Sequence, residues 1–207
     1  MIVQQDTALS SFLLAHGLAA SNEPVRVSTT AGRQHLCGLF KAMGYTRGAE
    51  IGVWAGQFSE QICVANQGVQ LICVDPWKAY DDYGDPKNDQ ARLSAARKEA
   101  TKRLAPYGCD LRRLTSTEAA DGVPNGSLDF VYLDSNHAKQ YVLADLEAWV
   151  PKVRSGGIVS GHDYELVKRH AHLEVKEAVD EFAAIHKIAP VYVLANGKPP
   201  SFFWEVA

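Results

Sequence analysis

The sequence predicts an α/β protein: a mostly parallel sheet of about seven strands, doubly wound with helices on both faces, preceded by an N-terminal helical extension. Three observations carry this expectation. From Gly48 onward, short apolar runs alternate with amphipathic stretches at helical spacing, the pattern of a parallel sheet covered by helices. The acid Glu50 ends one such run, and Gly52 and Gly56 follow it into a helical stretch. The last two apolar runs are joined only by the polar turn Asn196-Gly197-Lys198-Pro199-Pro200. So short a connection implies an antiparallel hairpin, expected at the sheet edge, with the last strand antiparallel.

Residues 6–44 read as two helical segments broken at Ser21-Asn22-Glu23-Pro24, the second carrying Leu36, Leu39 and Phe40 at helical spacing and ending near Gly44. The expected division is therefore an extension over 1–45 and one domain over 46–207. Apolar strands are expected at 49–53, 70–74, 109–114, 128–133, 157–160, 189–194 and 201–206. Helices are expected at 57–66, 88–104, 138–150 and 172–186. In the third, Val142, Leu146, Trp149 and Val150 form one stripe before Pro151 stops the helix. In the fourth, Val175, Ala178, Val179, Phe182 and Ile185 do the same. Residues 76–90 hold three aromatics among acids and turn formers, longer than a plain connection needs, as in a binding loop or a surface insertion.

The 207 residues can bury a substantial core. A formal net charge of −3 argues against broad attraction to nucleic acid or anionic membranes. Cys37, Cys63, Cys73 and Cys109 are widely spaced without a CxxC pair. They read as core thiols in a reducing cytoplasm. The apolar stretch at 11–15 is too short to span a bilayer and has no Lys or Arg ahead of it. No membrane or nucleic-acid partner is expected.

An acid at a strand tip, a glycine turn, a helix start and then Asp75 about 20 residues on suit a nucleoside-type ligand. Backbone N–H groups and a helix N-terminus face such a ligand, and the second acid holds ribose hydroxyls. The loop is Gly52-x-x-x-Gly56, however, with Val53-Trp54 where a dinucleotide loop needs its second glycine. No Lys-Ser or Lys-Thr follows, as a phosphate loop would require. An NAD(P)-dependent oxidoreductase and a non-catalytic binding protein on the same scaffold stay open as alternatives.

Glu50-Ile51-Gly52-Val53-Trp54-Ala55-Gly56 resembles the first motif of the class I S-adenosylmethionine (SAM)-dependent methyltransferases, acid-x-Gly-x-x-x-Gly. A second likeness runs through Phe130-Val131-Tyr132-Leu133-Asp134-Ser135-Asn136-His137 to Asp145-Leu146 and Trp149, then Gly156 to Gly161-His162-Asp163-Tyr164. It is similar to small-molecule O-methyltransferases with Asp-x-x-His after the fourth strand and Gly-His-Asp-Tyr after the fifth. The resemblance covers roughly 47–187 and implies a Rossmann-like fold, SAM as cofactor, a small hydroxylated acceptor and a homodimer. Gly52 and Gly56 would then pass under the methionine part, Glu50 would reach its amino end, and Asp75 would accept from the ribose hydroxyls. Trp77 would pack on the adenine, and Ser116 and Thr117 would contact it. Val53, Trp54, Ser59, Pro76 and Asp134 complete the implied cofactor set.

For the chemistry, the resemblance allows two mechanisms. In one, Asp134 and Asp163 hold a divalent cation such as Mg²⁺, which lowers the pKa of the acceptor. In the other, His162 or His137 is a general base oriented by a neighbouring carboxylate such as Asp163. Asp134 also reads as a helix N-cap, and His170-x-His172-x-Glu174 as a solvated helix start rather than a metal site.

Overall fold

The computed structural model describes residues 3–19, 22–80, 88–165 and 174–207. Helix α1 (Val3–Ala15) is followed by a short strand, β1 (Val25–Ser28), and by α2 (Gln34–Ala42). Strand and helix then alternate through β2 (Arg47–Ile51), α3 (Gln57–Ala65), β3 (Gln70–Val74), α4 (Gln90–Leu104), β4 (Asp110–Arg112) and α5 (Ser116–Asp121). They continue with β5 (Leu128–Leu133), α6 (Lys139–Trp149), β6 (Val153–Gly161), α7 (Val175–His186), β7 (Val191–Leu194) and β8 (Ser201–Glu205).

The eight strands form one sheet in the order β1-β7-β8-β6-β5-β2-β3-β4. Only β8 is antiparallel, to β6 on one side and to β7 on the other. The expected hairpin is therefore real, but it is not at the edge. β1 closes the outer side of β7, with Val25–Ser28 registered on Val191–Leu194, so the N-terminal segment adds a strand that the purely helical expectation lacks. Two apolar layers cover the sheet. Leu36, Phe40, Ile62, Ala100 and Leu104, from α2, α3 and α4, pack on one face with Leu9 and Leu13 of α1. Ala119, Leu146, Trp149, Val179 and Phe182, from α5, α6 and α7, pack on the other.

The helical stripes of the sequence supply these layers, with one exception: Ile185, expected in the buried stripe of α7, is 67% exposed. Cys37, Cys63 and Cys73 are buried and all four cysteines are free thiols. No helix among the described residues is long and apolar enough to cross a membrane.

The sheet order reverses between β2 and β5: from β2 the chain winds outward to β3 and β4, then returns to β5 on the other side. A crevice forms at the strands' C-terminal ends at such a switch point. That is where the chemistry-bearing residues gather.

Candidate active site

The turn after β2 forms the floor of the site. Gly52 has φ +93°, and a Cβ there would lie 1.9 Å from the carbonyl oxygen of Asp134. The chain leaving β5 thus presses on Gly52 so closely that only glycine fits. Gly56, at φ +76°, precedes α3, and a Cβ there would meet Leu104 Cδ1 at 3.1 Å. Its role is packing against α4; unlike Gly52, it does not line the cavity described below.

Two buried carboxyls flank this turn. Glu50 is 2% exposed, and the Ser59 hydroxyl donates to its Oε2. Burial, aided by the nearby Asp134 and Asp75, raises its pKa to about 8 against the pull of Ser59 and Arg33. Ser59 is wholly buried and outside the cavity wall, so it supports Glu50 instead of meeting a ligand. Asp75 accepts from the Trp54 N–H through Oδ2 at 2.9 Å and from the Trp77 N–H through Oδ1 at 2.7 Å. Burial raises its pKa and these backbone donors oppose the rise. Each carboxylate oxygen has a further acceptor site, so Asp75 can still receive hydroxyls.

Trp77 departs from expectation. It is 2% exposed, and its indole N–H donates to the Trp54 carbonyl at 2.9 Å. It packs in the core layer with Val53 and Phe58 and does not line the cavity. The indole clamps the glycine turn from beneath, leaving no face for an adenine.

A cavity of about 500 Å³ opens over this floor. Glu50, Gly52, Val53, Trp54, Asp75 and Pro76 line one side. Thr115, Ser116 and Thr117 line another, at the start of α5, where Thr115 and Glu118 form a reciprocal capping box. The Ser116 hydroxyl accepts from the Trp149 indole at 2.9 Å. Tyr80 and Asn88 also reach the wall, tied together by the Tyr80 N–H on Asn88 Oδ1 at 2.9 Å. Tyr83 and the rest of 81–87 lie outside the described residues.

Asp134 and His137, after β5, line the cavity; His162 and Asp163, after β6, stand behind them and do not form its wall. His137 Nε2 is 3.1 Å from Asp163 Oδ2 and 3.7 Å from Asp134 Oδ1. His162 Nδ1 is 3.2 Å from the same Asp163 oxygen and 3.9 Å from Asp134 Oδ1. Burial alone would lower the His137 pKa, but Asp134 and Asp163 overcome it and raise the group to about 10. Without a metal ion, the two acids thus favour the imidazolium form of His137 over a free base. Asp163, pushed upward by burial, is held well below the usual carboxylate range by His137 and His162. Donor atoms of Asp134, His162 and Asp163 all lie within 4.8 Å of one another, so the three could hold a metal ion.

Neighbouring residues explain the motif around this pair. A Cβ at Gly161 would lie 2.6 Å from the Leu133 carbonyl and from the Phe202 ring, because β6 is squeezed between β5 and β8. Tyr164 is buried and donates to Asp180 Oδ1 of α7 at 2.5 Å, fixing the chain beyond Asp163. Asp134 does not cap α6; that helix starts after Ala138.

The family described as a methyltransferase domain matches residues 49–164, more than half of the chain. This chain belongs to that family. A curated relative, the uncharacterized protein y4gI of Sinorhizobium fredii, is 27% identical over 113 residues. The match takes in 55% of this chain but only 12% of that relative, so the chain spans a small part of the length of the curated protein it matches. Among solved structures, the O-methyltransferase from Bacillus cereus in complex with SAH has a TM-score of 0.58 at 15% identity, over 99% of this chain and 91% of that one. TomG of Streptomyces achromogenes, an O-methyltransferase involved in tomaymycin synthesis and bound to SAM, gives 0.55 at 17%, over 97% and 90%. At these identities the likeness is one of fold.

In this member of the methyltransferase-domain family, one cavity wall comes from a residue that sequence reading passes over. Arg33, just before α2, lines the cavity with Nη1 3.7 Å from Asp134 Oδ2 and its guanidinium 5.3 Å from the centre of the Phe58 ring. No motif marks it; it stands in a stretch that reads as the start of a helix. His162 as a third metal donor was likewise not read, because its Nδ1 position follows from how β6 ends. Of the His170-x-His172-x-Glu174 triplet, both histidines lie outside the described residues. Glu174 accepts from the Lys139 N–H at 2.9 Å and so caps α6.

Proposed function

We propose that this chain transfers the methyl group of SAM to a hydroxyl oxygen of a small molecule, giving S-adenosylhomocysteine, a methyl ether and a proton. One observation carries the reading. A single cavity is lined by a ribose-competent acid, Asp75, by the tight Gly52 turn and by Asp134, and Asp134 ties that cavity to His162 and Asp163 just behind its wall. Membership of the methyltransferase-domain family supports it, as do fold neighbours whose structures hold SAM or SAH. The acids Asp75 and Asp134 in the lining give a sulfonium-bearing ligand a favourable potential.

In this reading Asp75 accepts from the ribose hydroxyls and Glu50 faces the ammonium of the methionine moiety. Gly52, Val53 and Trp54 run beneath that moiety, while Pro76, Ser116 and Thr117 border the base. Asp134 and Asp163 would offer oxygen donors to a divalent cation such as Mg²⁺, and His162 as a third donor would shift the preference of the set towards first-row transition ions. When bound, such a cation acts as a Lewis acid that acidifies the acceptor hydroxyl. His162, 3.2 Å from Asp163, also has the geometry of a base oriented by a carboxylate. Without the cation, the His137 imidazolium balances the paired acids. The four free thiols accord with a reducing, cytoplasmic setting.

The test is calorimetry with SAM, followed by a mass-spectrometric screen of hydroxylated acceptor pools run with and without chelator. Saturable SAM binding and a product heavier by one methyl are expected. Chelator-sensitive turnover would favour the metal role, and chelator-indifferent turnover the His162 role. No binding heat at a large excess of SAM would overturn the proposal.

A further inference from the structure

We infer that Arg33 grips the carboxylate of the cofactor's methionine moiety, so that the N-terminal segment completes the cofactor site as well as flanking it. The inference rests on the SAM reading above. It starts from charge. Among the described cavity-lining residues the cationic side chains are Arg33, Lys78 and, without a metal ion, His137, whose charge is already matched by Asp134 and Asp163. Lys78 follows Asp75-Pro76-Trp77 on the ribose side, its ammonium 5.3 Å from the Tyr80 ring centre. Arg33 stands at the opposite end, with Asp134 beside it and Glu50 close enough to feel its charge.

The amino-acid end of SAM carries an ammonium and a carboxylate. Asp134 suits the ammonium but repels the carboxylate, and Glu50, which holds a proton in the free protein near neutral pH, would ionise beside the ammonium. Arg33 offers the compensating charge at that end. Its 3.7 Å separation from Asp134 Oδ2 is longer than a hydrogen bond, and although the guanidinium also meets the buried Tyr132 hydroxyl, its five N–H donors leave some for a carboxylate. Phe58 lies against the guanidinium and limits its swing.

The backbone that delivers Arg33 is pinned to the sheet. A Cβ at Gly32 would lie 2.0 Å from the Asn196 carbonyl oxygen, so the chain passes directly against the turn between β7 and β8. The Asn196 N–H donates to the Ala31 carbonyl at 2.9 Å, and its side-chain amide to Thr30 at 3.0 Å. The Ala31 N–H donates to Ser28 Oγ at 3.2 Å, and the Gly32 N–H to His35 Nδ1 at 3.1 Å. The backbone at Arg33 is therefore set in place without a ligand, which limits the ordering cost of binding to the side chain.

The test compares SAM with decarboxylated SAM, which lacks only the carboxylate, by calorimetry on the full chain. The wild type is expected to bind SAM tighter by roughly 10- to 100-fold, the range of a charge-assisted contact. Arg33→Gln should weaken SAM by that factor and leave decarboxylated SAM within about twofold, so the two ligands bind alike. Arg33→Lys, keeping charge without the fork, should fall between, and it preserves the test if the Gln variant folds poorly by circular dichroism. A preference for SAM that survives in both variants overturns the assignment and points to an anionic acceptor as the partner of Arg33. Equal loss of both ligands overturns it in favour of a structural role. A wild type that binds neither ligand removes the SAM reading itself and the assignment with it. A wild type that binds both ligands alike removes only the carboxylate grip.

Discussion

Glu50 illustrates what a single buried acid does to this molecule. Desolvation is the main cause of its raised pKa, about 8 against 4.5 for an exposed glutamate, and Ser59 and Arg33 only partly offset it. The folded protein therefore holds a proton that the unfolded chain releases as pH rises from about 4.5 to about 8. Its contribution to stability is fully present below 4.5 and is lost through that window, by an amount on the order of 4 kcal/mol. Asp145, raised to about 6 chiefly by burial, acts in the same direction. Glu50→Gln should therefore flatten the fall without abolishing it. Urea midpoints at pH 5 and pH 8.5 check this: the wild type should lose more between the two than the variant does, and parallel losses would refute the assignment. A ligand ammonium beside Glu50 would favour the ionised form, so SAM binding near neutral pH should release protons, visible as buffer-dependent heats.

At the scale of elements, the turn joining β2 to α3 separates two reasons for glycine. Gly52→Ala would drive a Cβ to 1.9 Å from the backbone oxygen of Asp134, where nothing can yield cheaply. Gly56→Ala would meet the flexible end of Leu104 at 3.1 Å. Both carry positive φ, a strain of order 1–3 kcal/mol for alanine, but only the first adds a backbone collision. Gly52→Ala should cost roughly 3 kcal/mol or more and Gly56→Ala clearly less, as read from denaturation midpoints; equal costs would show that strain in φ alone governs the turn. This strand–turn–helix unit, with Glu50 and Asp75, was legible in sequence because its signals are local: an acid, two glycines and an amphipathic helix. The long helices were legible for the same reason. β1 was not: Val-Arg-Val-Ser is four residues long, and its partner β7 lies more than 160 residues away. β6 begins four residues before its expected 157–160 and ends one residue after it. Gly157, expected as the first residue of that strand, sits inside it, where a Cβ would lie 2.5 Å from Val153 and 2.6 Å from the Asp129 carbonyl. The six-residue α5 was too short for periodicity, although Thr115 and Glu118 hold its capping-box spacing. Trp77 looked like a ligand-facing aromatic until its indole bond to Trp54 fixed it inward. Arg33 was illegible since its position depends on β1 pairing with β7 and on the turn at Asn196.

For the whole molecule, this dependence makes the N-terminal segment part of the folding unit, which the division at residue 45 does not convey. Leu9, Leu13 and Leu18 are at most 8% exposed and join the same apolar layer as Tyr192, Leu194 and Phe203 of the final hairpin. Phe12 meets Phe203 edge-on at 5.9 Å. Full burial of one leucine side chain is worth roughly 1.5–3 kcal/mol, so the three together contribute roughly 5–9 kcal/mol. A domain of this kind has a net stability of only about 5–15 kcal/mol. Removing β1 would also uncover the row of backbone groups along β7, whose four residues are all buried here. Open apolar edges invite pairing between chains. A chain begun at Gln34 should thus fail to give a soluble monomer with a cooperative melt, as judged by size-exclusion chromatography and circular dichroism. The full chain carrying Arg33→Gln should melt cooperatively, because that side chain is 36% exposed and lies at the cavity wall. A shortened chain that melts as sharply as the intact one would mean that α1 and β1 dock on a finished domain. Failure of the shortened chain beside an intact Arg33→Gln variant would assign the segment two separable tasks, closing the sheet through β1 and furnishing the cofactor site through Arg33.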